Sequence, residues 1–411
     1  MSTNACRLCG APVNHVFADL GLSPISNDFV REEDLGKPER FFPLKALVCD
    51  RCFLVQLEQF ESPEHHFSDE YAYFSSFSSS WLEHARTYVE QMTERLGLGP
   101  QSHVVEVSSN DGYLLQYFVE RGIPVLGIEP TANTAAAARE KGVPTEVRFF
   151  GEQAALELRD EHAADLLIGN NVLAHVPDLN DFVAGLKILL APEGVVTMEF
   201  PHLMRLIDDV QFDTIYHEHF SYFSLSTAVR AFARHGLTIF DVEELPTHGG
   251  SLRIYARHDE DEGKPVGERV HELRAREERA GYDRIETYLE FAERVQREKR
   301  EIVRFFVEAK EAGQTIVGYG APAKGNTLLN YCGIRTDFID YTVDRNPHKQ
   351  GRYLPGTRIP IRDPDEIRRT KPDLVFILPW NLRDEIVEEM AFVREWGGRF
   401  AARSPEIEVI E

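Results

Sequence analysis

Four adjacent residues, Tyr216-His217-Glu218-His219, place two imidazoles, a carboxylate and a phenol on one short stretch of chain. Histidine titrates near neutral pH and suits the role of a general base. In a strand, the two histidines would share one face with Glu218 opposite, whereas in a loop all the side chains could converge. The His-x-His spacing can also chelate a metal ion, but it lacks the i, i+4 pair of the common helical zinc motif. The flanking apolar residues favour a half-buried cleft over a surface loop, and the run is a candidate site of proton transfer.

Metal binding is predicted for four of the five cysteines. Cys6-x-x-Cys9 and Cys49-x-x-Cys52 form two matched pairs, which can bring four thiolates to one tetrahedral zinc ion. Two disulfides or four unrelated core cysteines are the alternatives, but no signal peptide precedes the first pair, so a reducing compartment is expected. The stretch between the pairs has few core-building residues, and a metal would stabilise its thin core. A site filled by four thiolates has no open position, so the zinc is expected to be structural.

A second constellation surrounds the end of a predicted strand, His103–Val107. The turn Ser108–Gly112 opens a helix, and a further predicted strand, Val125–Ile128, ends in Glu129-Pro130. An acidic side chain at that end is placed to accept the hydroxyls of a ribose. The turn has no G-x-G-x-x-G, so it is not arranged for a pyrophosphate. Glu106 at the tip of the first strand instead suits a ligand with a cationic amine and a sulfonium, and S-adenosylmethionine is such a ligand.

A third element agrees with this interpretation. The predicted strand Ala164–Gly169 ends in Asn170-Asn171, and the turn after this strand faces the methyl donor in class I methyltransferases. A generic doubly wound domain with ordinary polar loops is the alternative, but three elements in the right order favour the methyltransferase. The predicted cofactor-binding residues are Glu106, Asn110, Gly112, Glu129, Pro130, Asn170 and Asn171.

The sequence divides into three parts that must position these residues. Residues 1–67 carry the four paired cysteines, residues 68–261 alternate predicted strands and helices, and residues 262–411 join a charged connector to a second such alternation. In the connector, apolar residues recur at helical spacing and predict amphipathic helices with a solvated charged face: Tyr288, Phe291, Val295, Ile302 and Phe305. The predicted fold class is α/β, with a small zinc-binding N-terminal module, a central class I methyltransferase (Rossmann-like) domain and a C-terminal second Rossmann-like domain.

The C-terminal part has a glycine-rich run of its own. A predicted strand, Thr315–Val317, leads into Gly318–Thr327, which opens a helix. Such turns bind phosphate, and Lys324 supplies a countercharge. The run is not a Walker sequence, so hydrolysis of a nucleoside triphosphate is disfavoured. A degenerate domain kept for packing is the alternative. We favour a site for the diphosphate of a nucleotide-linked sugar in the cleft between the second and third domains, with Lys324, Asn326 and Thr327 as its contacts.

Composition limits the classes of partner. The chain has 411 residues and a formal net charge of −23. An acidic surface repels nucleic acid and anionic membranes. No apolar run approaches the roughly 20 residues that a membrane span needs. We therefore expect a cytoplasmic protein, monomeric, with no nucleic acid or membrane partner.

Over nearly its whole length the chain resembles the S-adenosylmethionine-dependent sugar C-methyltransferases of deoxysugar biosynthesis. The resemblance is carried by five motifs: the paired Cys-x-x-Cys, Glu106-Val-Ser-Ser-Asn-Asp-Gly112, Asn170-Asn-Val-Leu-Ala-His175, Tyr216-His-Glu-His-Phe-Ser-Tyr222 and Gly318-Tyr-Gly-Ala-Pro-Ala-Lys-Gly-Asn-Thr327. It implies methylation of a carbon beside the ketone of a nucleotide-linked keto-deoxysugar, with C-3 next to a 4-keto group expected. Members of the family methylate different carbons, so the resemblance indicates the chemistry better than the substrate.

The resemblance also implies roles for individual residues. His219 is expected to be the base that removes the proton. Glu218 would support it or bind a polar sugar substituent, and Tyr216 and His175 would hold the enolate oxygen. The aromatic run Tyr71-Ala-Tyr73-Phe74 resembles the family segment that closes over the sugar, and Tyr71 is its expected contributor.

Two other functions are compatible with these features. An O- or N-methyltransferase acting on a sugar nucleotide would use the same donor, but it would have no need of the clustered bases. A non-catalytic, zinc-stapled protein that binds nucleotide sugars would bind both ligands without turnover. Exchange of a proton at a sugar carbon distinguishes the first alternative, and turnover distinguishes the second.

Overall fold

The computed structural model of the protein describes residues 5–60, 74–403 and 406–411. The strands of this part of the chain are β1 His15–Ser23, β2 Phe42–Val48, β3 Val55–Leu57, β4 Val104–Val107, β5 Val125–Ile128, β6 Thr145–Glu146, β7 Ala164–Asn170, β8 Leu190–Pro201, β9 Ser221–Tyr222, β10 Leu237–Leu245, β11 Ser251–His258, β12 Ile316–Tyr319, β13 Thr342–Val343, β14 Ile361–Arg362, β15 Leu374–Ile377, β16 Arg399–Arg403 and β17 Ile407–Ile410. Its α-helices are α1 Ser79–Leu96, α2 Leu115–Val119, α3 Ala132–Glu140, α4 Glu152–His162, α5 Leu179–Leu189, α6 Leu203–Asp208, α7 Leu225–Ala233, α8 Glu268–Arg279, α9 Ile285–Leu289, α10 Phe291–Glu311, α11 Ala323–Cys332, α12 Asp365–Thr370 and α13 Arg383–Glu389.

The first sheet is antiparallel and has the order β1-β2-β3-β9. Its last strand comes from far along the chain, and Val55 of β3 pairs with Tyr222 of β9. The segment that contains His219 therefore leads directly into the N-terminal sheet. Because β9 completes this sheet, residues 1–67 do not form it alone, and the three domain boundaries stay a prediction.

The second sheet has the order β10-β11-β8-β7-β4-β5-β6, and β4 pairs in parallel with both β5 and β7. The chain moves outward from β4 to β6 and then crosses back to β7. Ligands of doubly wound sheets bind at the carboxyl ends of the strands where this reversal occurs. Val104 packs in one core cluster, whereas Val105 and Val107 pack in another, as expected for a strand buried on both faces.

The third sheet, with the order β14-β13-β12-β15-β16-β17, is parallel except for its last strand. Its own reversal point lies between β12 and β15, so the loops after Tyr319 and Ile377 meet there. The α/β fold with two doubly wound sheets, expected from the sequence, is confirmed.

The connector helices join the first and third sheets. Phe291 of α10 stacks on Phe17 of β1 with ring centroids 4.4 Å apart, and both belong to one core cluster that also includes Phe376 of β15. Four of the five predicted apolar residues of the connector are buried. The fifth, Phe305, is only partly buried, and its neighbour Phe306 is fully buried instead. No helix in the described ranges is both long and apolar enough to cross a membrane.

Helix α2 begins later than the sequence suggests. It starts at Leu115, whereas the sequence predicts a helix directly after the turn Ser108–Gly112, because that turn contains left-handed residues. Ser108, Asn110 and Gly112 have φ values of 57°, 50° and 73°. A chain alternating in and out of the left-handed region cannot continue a right-handed helix.

Candidate active site

The four predicted metal ligands lie together. Their Sγ atoms are all within 4.8 Å of one another, with Cys6 and Cys52 at 3.4 Å and Cys9 and Cys49 at 3.6 Å. Thiolates about 2.3 Å from a tetrahedral zinc ion are roughly 3.8 Å apart, so the cluster fits that ion. The two loops have matching backbones, since Cys6 O accepts from Gly10 N and Cys49 O accepts from Phe53 N, both at 2.9 Å. None of the five cysteines forms a disulfide.

The cysteine loops contact the rest of the protein close to the histidine run. Cys52 O accepts a hydrogen bond from Arg230 Nη1 at 3.0 Å. Arg7, between the first two cysteines, donates to the carbonyls of Pro177 and Leu57, both at 2.7 Å. Its guanidinium also lies over the Phe220 ring, 5.1 Å from the centroid. A zinc ion bound here would fix the loop that supports the residue after His219.

Glu106 lies at the carboxyl end of β4 and is completely buried. Neither of its carboxylate oxygens forms a hydrogen bond of standard geometry within the described residues, although the Tyr113 hydroxyl lies close enough to favour the charged form. Burial outweighs this contact and raises the pKa of Glu106 well above its ordinary value. A buried carboxylate so weakly bonded is costly, and a cationic ligand would offset that cost. The amine or sulfonium of S-adenosylmethionine fits this requirement.

Glu129 occupies the ribose position at the end of β5. Its Oε2 accepts from Asn110 N and its Oε1 from Thr131 N, both at 2.9 Å. A third bond, from Thr131 Oγ1 to Oε1, fixes the carboxylate further and leaves about one of its four lone-pair sites, on Oε2, for a ribose hydroxyl. Burial raises the pKa of Glu129. Pro130 follows and is half-buried.

Gly112 is the last residue of the turn after β4, with a φ of +73°. A Cβ atom there would lie 3.2 Å from Ala138 Cα of α3 and 3.1 Å from a methyl group of Val143. The glycine therefore allows α3 to pack tightly under the turn. Asn110 Oδ1 accepts from Ser75 N at 2.9 Å, which connects the turn to the segment that follows the undescribed residues 61–73.

Asn170, the last residue of β7, and Asn171, which follows it, lie at the same end of the sheet. Asn170 Nδ2 donates to Tyr113 OH at 3.2 Å. Asn171 has a φ of 54°, and its Nδ2 donates to His248 Nε2 at 3.1 Å. His248 was not identified from the sequence, although the glycines at 249 and 250 mark its loop as an unusual turn.

The donor site makes a quantitative prediction. Glu129→Ala should weaken binding of S-adenosylmethionine by about 1–3 kcal/mol, because a buried charged acceptor is lost. Isothermal titration calorimetry measures this change. Glu140→Ala, which removes an exposed carboxylate from α3, is the matched control and should bind normally. Equal affinities in the two variants would refute the ribose assignment.

The run Tyr216-His217-Glu218-His219 forms a turn, closed by His219 N donating to Tyr216 O at 2.9 Å. Its side chains diverge. His217 Nε2 donates to Pro43 O at 3.2 Å, and its ring lies edge-on to Phe42. Glu218 Oε1 accepts from Asn27 Nδ2 at 2.7 Å, and burial raises the pKa of Glu218 to about 7. The structure thus separates the two histidines.

His219 is buried, with 7% of its surface exposed. Its Nδ1 donates to Thr214 O at 3.0 Å, which assigns the tautomer and leaves the lone pair on Nε2. The His175 ring lies edge-on at 4.6 Å between centroids, and the Tyr216 ring lies at 3.9 Å. Burial, followed by the nearby His175, lowers the pKa of His219 well below its ordinary value. The imidazole is therefore a neutral base at neutral pH.

One predicted assignment changes with this geometry. The carbonyl of Thr214 orients His219, so Glu218, which bonds to Asn27, does not support the base. The other predicted role of Glu218, contact with a polar sugar substituent, stays a prediction. Tyr71 lies outside the described residues, and its predicted role stays a prediction.

The predicted diphosphate residues also differ from expectation. Asn326 and Thr327 are each 1% exposed. Asn326 Nδ2 donates to Ser26 O at 2.5 Å, and Thr327 Oγ1 donates to Ile215 O at 3.1 Å. These side chains connect α11 to other parts of the protein, so we no longer assign them to a phosphate.

Lys324 lies in the first turn of α11 and differs from its two neighbours. Its Nζ donates to Asn381 Oδ1 at 2.6 Å and lies 4.6 Å from the centroid of the Trp380 ring. Burial lowers the pKa of Lys324 to about 8. Trp380 and Asn381 follow β15, so they lie at the reversal point of the third sheet.

A buried ion network fixes the loop before β11. Glu199 of β8 accepts from Arg253 Nη2 at 2.8 Å, from His84 Nε2 at 2.9 Å and from Thr247 Oγ1 at 2.8 Å. Burial alone would raise the pKa of Glu199, but the His84 bond and the Arg253 charge overcome this and hold it at about 2. The network positions Thr247, and with it the adjacent His248.

Family models match three consecutive regions of the chain. A zinc binding domain matches residues 6–67, a methyltransferase domain matches residues 81–242, and a C-methyltransferase C-terminal domain matches residues 246–405.

One curated relative matches over almost the full length of both chains. The C-methyltransferase NovU of Streptomyces niveus is 38% identical and covers 98% of this chain and 96% of its own. Solved structures match over about half of the chain. The 1,6-didemethyltoxoflavin-N1-methyltransferase of Burkholderia thailandensis is 18% identical, covers 50% of this chain and 94% of its own, and has a TM-score of 0.36. An S-adenosylmethionine-dependent methyltransferase of Mesorhizobium loti is 15% identical, covers 43% and 100%, and has a TM-score of 0.34. These TM-scores are too low to support an inference.

Proposed function

The chain belongs to the sugar C-methyltransferase family, and we propose that it methylates a carbon beside the ketone of a nucleotide-linked keto-deoxysugar. C-3 next to a 4-keto group is the expected position. The chain is a methyltransferase that depends on S-adenosylmethionine, which supplies the electrophilic methyl group. The identity of the sugar and of its carbon forms the proposal.

The observation that carries this proposal is the buried, neutral imidazole of His219. Its Nδ1 is occupied by the Thr214 carbonyl, and burial lowers its pKa, so Nε2 is available to accept a proton. Methylation of an oxygen or a nitrogen needs no carbon acid. A sugar carbon becomes a nucleophile only when a neighbouring ketone lets it lose a proton. A base of this kind therefore favours an enolate route.

The residues of the chain divide the remaining work. Glu106 and Glu129 bind the donor at the carboxyl ends of β4 and β5. His219 accepts the proton from the carbon beside the ketone. Tyr216 and His175 pack against the imidazole, and this packing supports their proposed contact with the enolate oxygen. His219 is buried and His175 half-buried, so water has limited access to the carbon that loses its proton.

The substrate is expected to lie between the second and third sheets. The carboxyl ends of β4 and β7 and the loops after β12 and β15 are the binding edges of their sheets. The His219 turn lies between these edges, as its contacts with His175 and the bond from Thr327 to Ile215 indicate. We propose that the chain acts as a monomer in the cytoplasm.

A panel of nucleotide sugars tests the proposal. The chain is incubated with donor and with keto-deoxysugars linked to thymidine or guanosine diphosphate, and products are identified by mass spectrometry and carbon NMR. We expect one methyl group on a carbon beside the ketone. The matched 4-hydroxy sugars, which have no carbon acid, should not react. A methyl group on oxygen or nitrogen, or equal turnover of the 4-hydroxy sugars, would overturn the proposal.

A further inference from the structure

We propose that Lys324 is a catalytic residue whose ammonium binds the ketone oxygen of the substrate and stabilises it as the neighbouring carbon loses its proton. This inference rests on the proposed function. It replaces the diphosphate contact predicted from the sequence.

A short series of contacts connects Lys324 to His219, the proposed base. Its ammonium lies over the ring of Trp380, and Trp380 Nε1 donates to Asp213 Oδ2 at 2.6 Å. Asp213 belongs to the short 3-10 helix Phe212–Thr214, and the carbonyl of Thr214 orients His219. The 3-10 helix that fixes the tautomer of His219 therefore also positions the Trp380 ring under the ammonium of Lys324.

A second series of contacts connects Lys324 to the donor side. A Cβ atom on Gly249 would overlap the Trp380 ring, so the two residues are in close contact. His248 precedes this glycine and bonds to Asn171 after β7. Lys324 is thus placed between the base and the strand end that faces the donor, which is where the reacting carbon must lie.

The ammonium has no anionic partner of its own. Its hydrogen bond is to the neutral amide of Asn381, and no carboxylate in the described ranges is within ion-pair distance of it. The nearby Asp213 is engaged by Trp380 and by Arg403 Nη1 at 3.1 Å. Burial lowers the pKa of Lys324 to about 8 and that of His248 to about 4. Lys324 is half-buried, and the nearby carboxylate of Asp213 is already engaged, so a developing oxyanion would offset the cost of desolvating the cation.

The position favours the ketone over the diphosphate. The diphosphate of a nucleotide sugar is bonded to C-1, whereas the expected ketone is at C-4, across the ring and next to C-3. A cation positioned with the base that acts at C-3 is therefore closer to the ketone oxygen. A diphosphate contact would act equally in the ground state and the transition state, but an enolate contact strengthens as charge moves onto oxygen.

Formation of the enolate begins as the C–H bond beside the ketone breaks and its proton moves to His219 Nε2. The electron pair forms a carbon–carbon double bond, and the carbonyl π pair moves onto the oxygen that Lys324 binds. The carbonyl then re-forms as the carbon bonds to the methyl group, while the methyl–sulfur pair stays on sulfur. His219 releases its proton to solvent after the reaction.

Lys324→Gln tests this role. We expect its kcat to fall by about 100-fold, as for other lost oxyanion donors. Exchange of the proton beside the ketone with deuterated solvent, followed by NMR, should fall in parallel, while the KM for the sugar nucleotide stays close to that of the wild type. Lys324→Arg, which keeps the cation, should recover part of the exchange. Lys299→Gln is the matched control, because Lys299 also lies over a ring, Tyr331, at 4.2 Å, but away from His219.

Two results with the Lys324 variants would overturn the proposal. One is a raised KM for Lys324→Gln with exchange at the wild-type rate, which would favour a diphosphate contact. The other is a rate of exchange in Lys324→Arg that is no higher than in Lys324→Gln. If the wild type methylates its sugar without exchange, the enolate route fails and the role of Lys324 with it. Should Lys324→Gln fail to bind donor, Asn381→Leu, which removes the partner of the ammonium, takes its place. Unchanged exchange in that variant overturns the proposal.

Discussion

His219→Asn is expected to abolish methyl transfer while both ligands still bind. Asparagine can keep a hydrogen bond to the Thr214 carbonyl but cannot accept a proton, so the variant removes the base and preserves the packing. General bases contribute roughly 10²–10⁴-fold to rate, and we expect a loss of kcat in that range. Steady-state kinetics and calorimetry with S-adenosylmethionine measure the two effects.

An exposed histidine provides the control. His271→Asn removes an imidazole from the surface of α8 and should leave kcat unchanged. His217→Asn should cost less than His219→Asn, because His217 points toward Phe42 and the first sheet. If His219→Asn keeps full activity, or if His217→Asn has the larger effect, the base has been assigned to the wrong residue.

Cys49→Ser should release zinc and destabilise the N-terminal module. Structural zinc in small domains contributes on the order of 10 kcal/mol of folding free energy, and a serine oxygen does not replace the thiolate. Calorimetry should show a lower unfolding temperature, and elemental analysis should show less than one zinc per chain. Donor affinity should change less, because Glu106 and Glu129 lie on the second sheet.

The control for this prediction is Cys332→Ser, which changes a buried cysteine of α11 outside the cluster and should keep one zinc per chain. Activity of Cys49→Ser should fall with stability, because Arg7 and β9 couple the cysteine loops to the His219 turn. Wild-type protein purified without chelator that contains no zinc would contradict the account of the cysteines.

Local patterns predicted the elements that carry the donor site. Strand β5 has the predicted bounds, because Val125–Ile128 is a short apolar run between polar turns. The four cysteines also lie together, since two equal spacings can reach one metal ion. These features depend on residues that are close in sequence, where periodicity and spacing hold the information.

Features that depend on contacts between distant parts of the chain were not predicted. Glu218 bonds to Asn27, and Asn326 bonds to Ser26. The roles of Glu218 and Asn326 could therefore be assigned only once the position of the N-terminal loop was known. No motif marks Glu199, which is bonded to Arg253 and His84 only in the folded chain. The role of Lys324 changed for the same reason, because its sequence context resembles a phosphate turn and only the fold places Trp380 beside it.

Solvent exchange in the wild-type enzyme tests the central claim most directly. The enzyme is incubated in deuterated water with a keto-deoxysugar nucleotide that it methylates and with S-adenosylhomocysteine in place of the donor, and the sugar protons are followed by NMR. The enolate account predicts that the hydrogen at one carbon beside the ketone, expected to be C-3, is replaced by deuterium, and that His219→Asn stops this exchange. Exchange that continues at the wild-type rate in His219→Asn, or methylation of a sugar that shows no enzyme-dependent exchange, would contradict it.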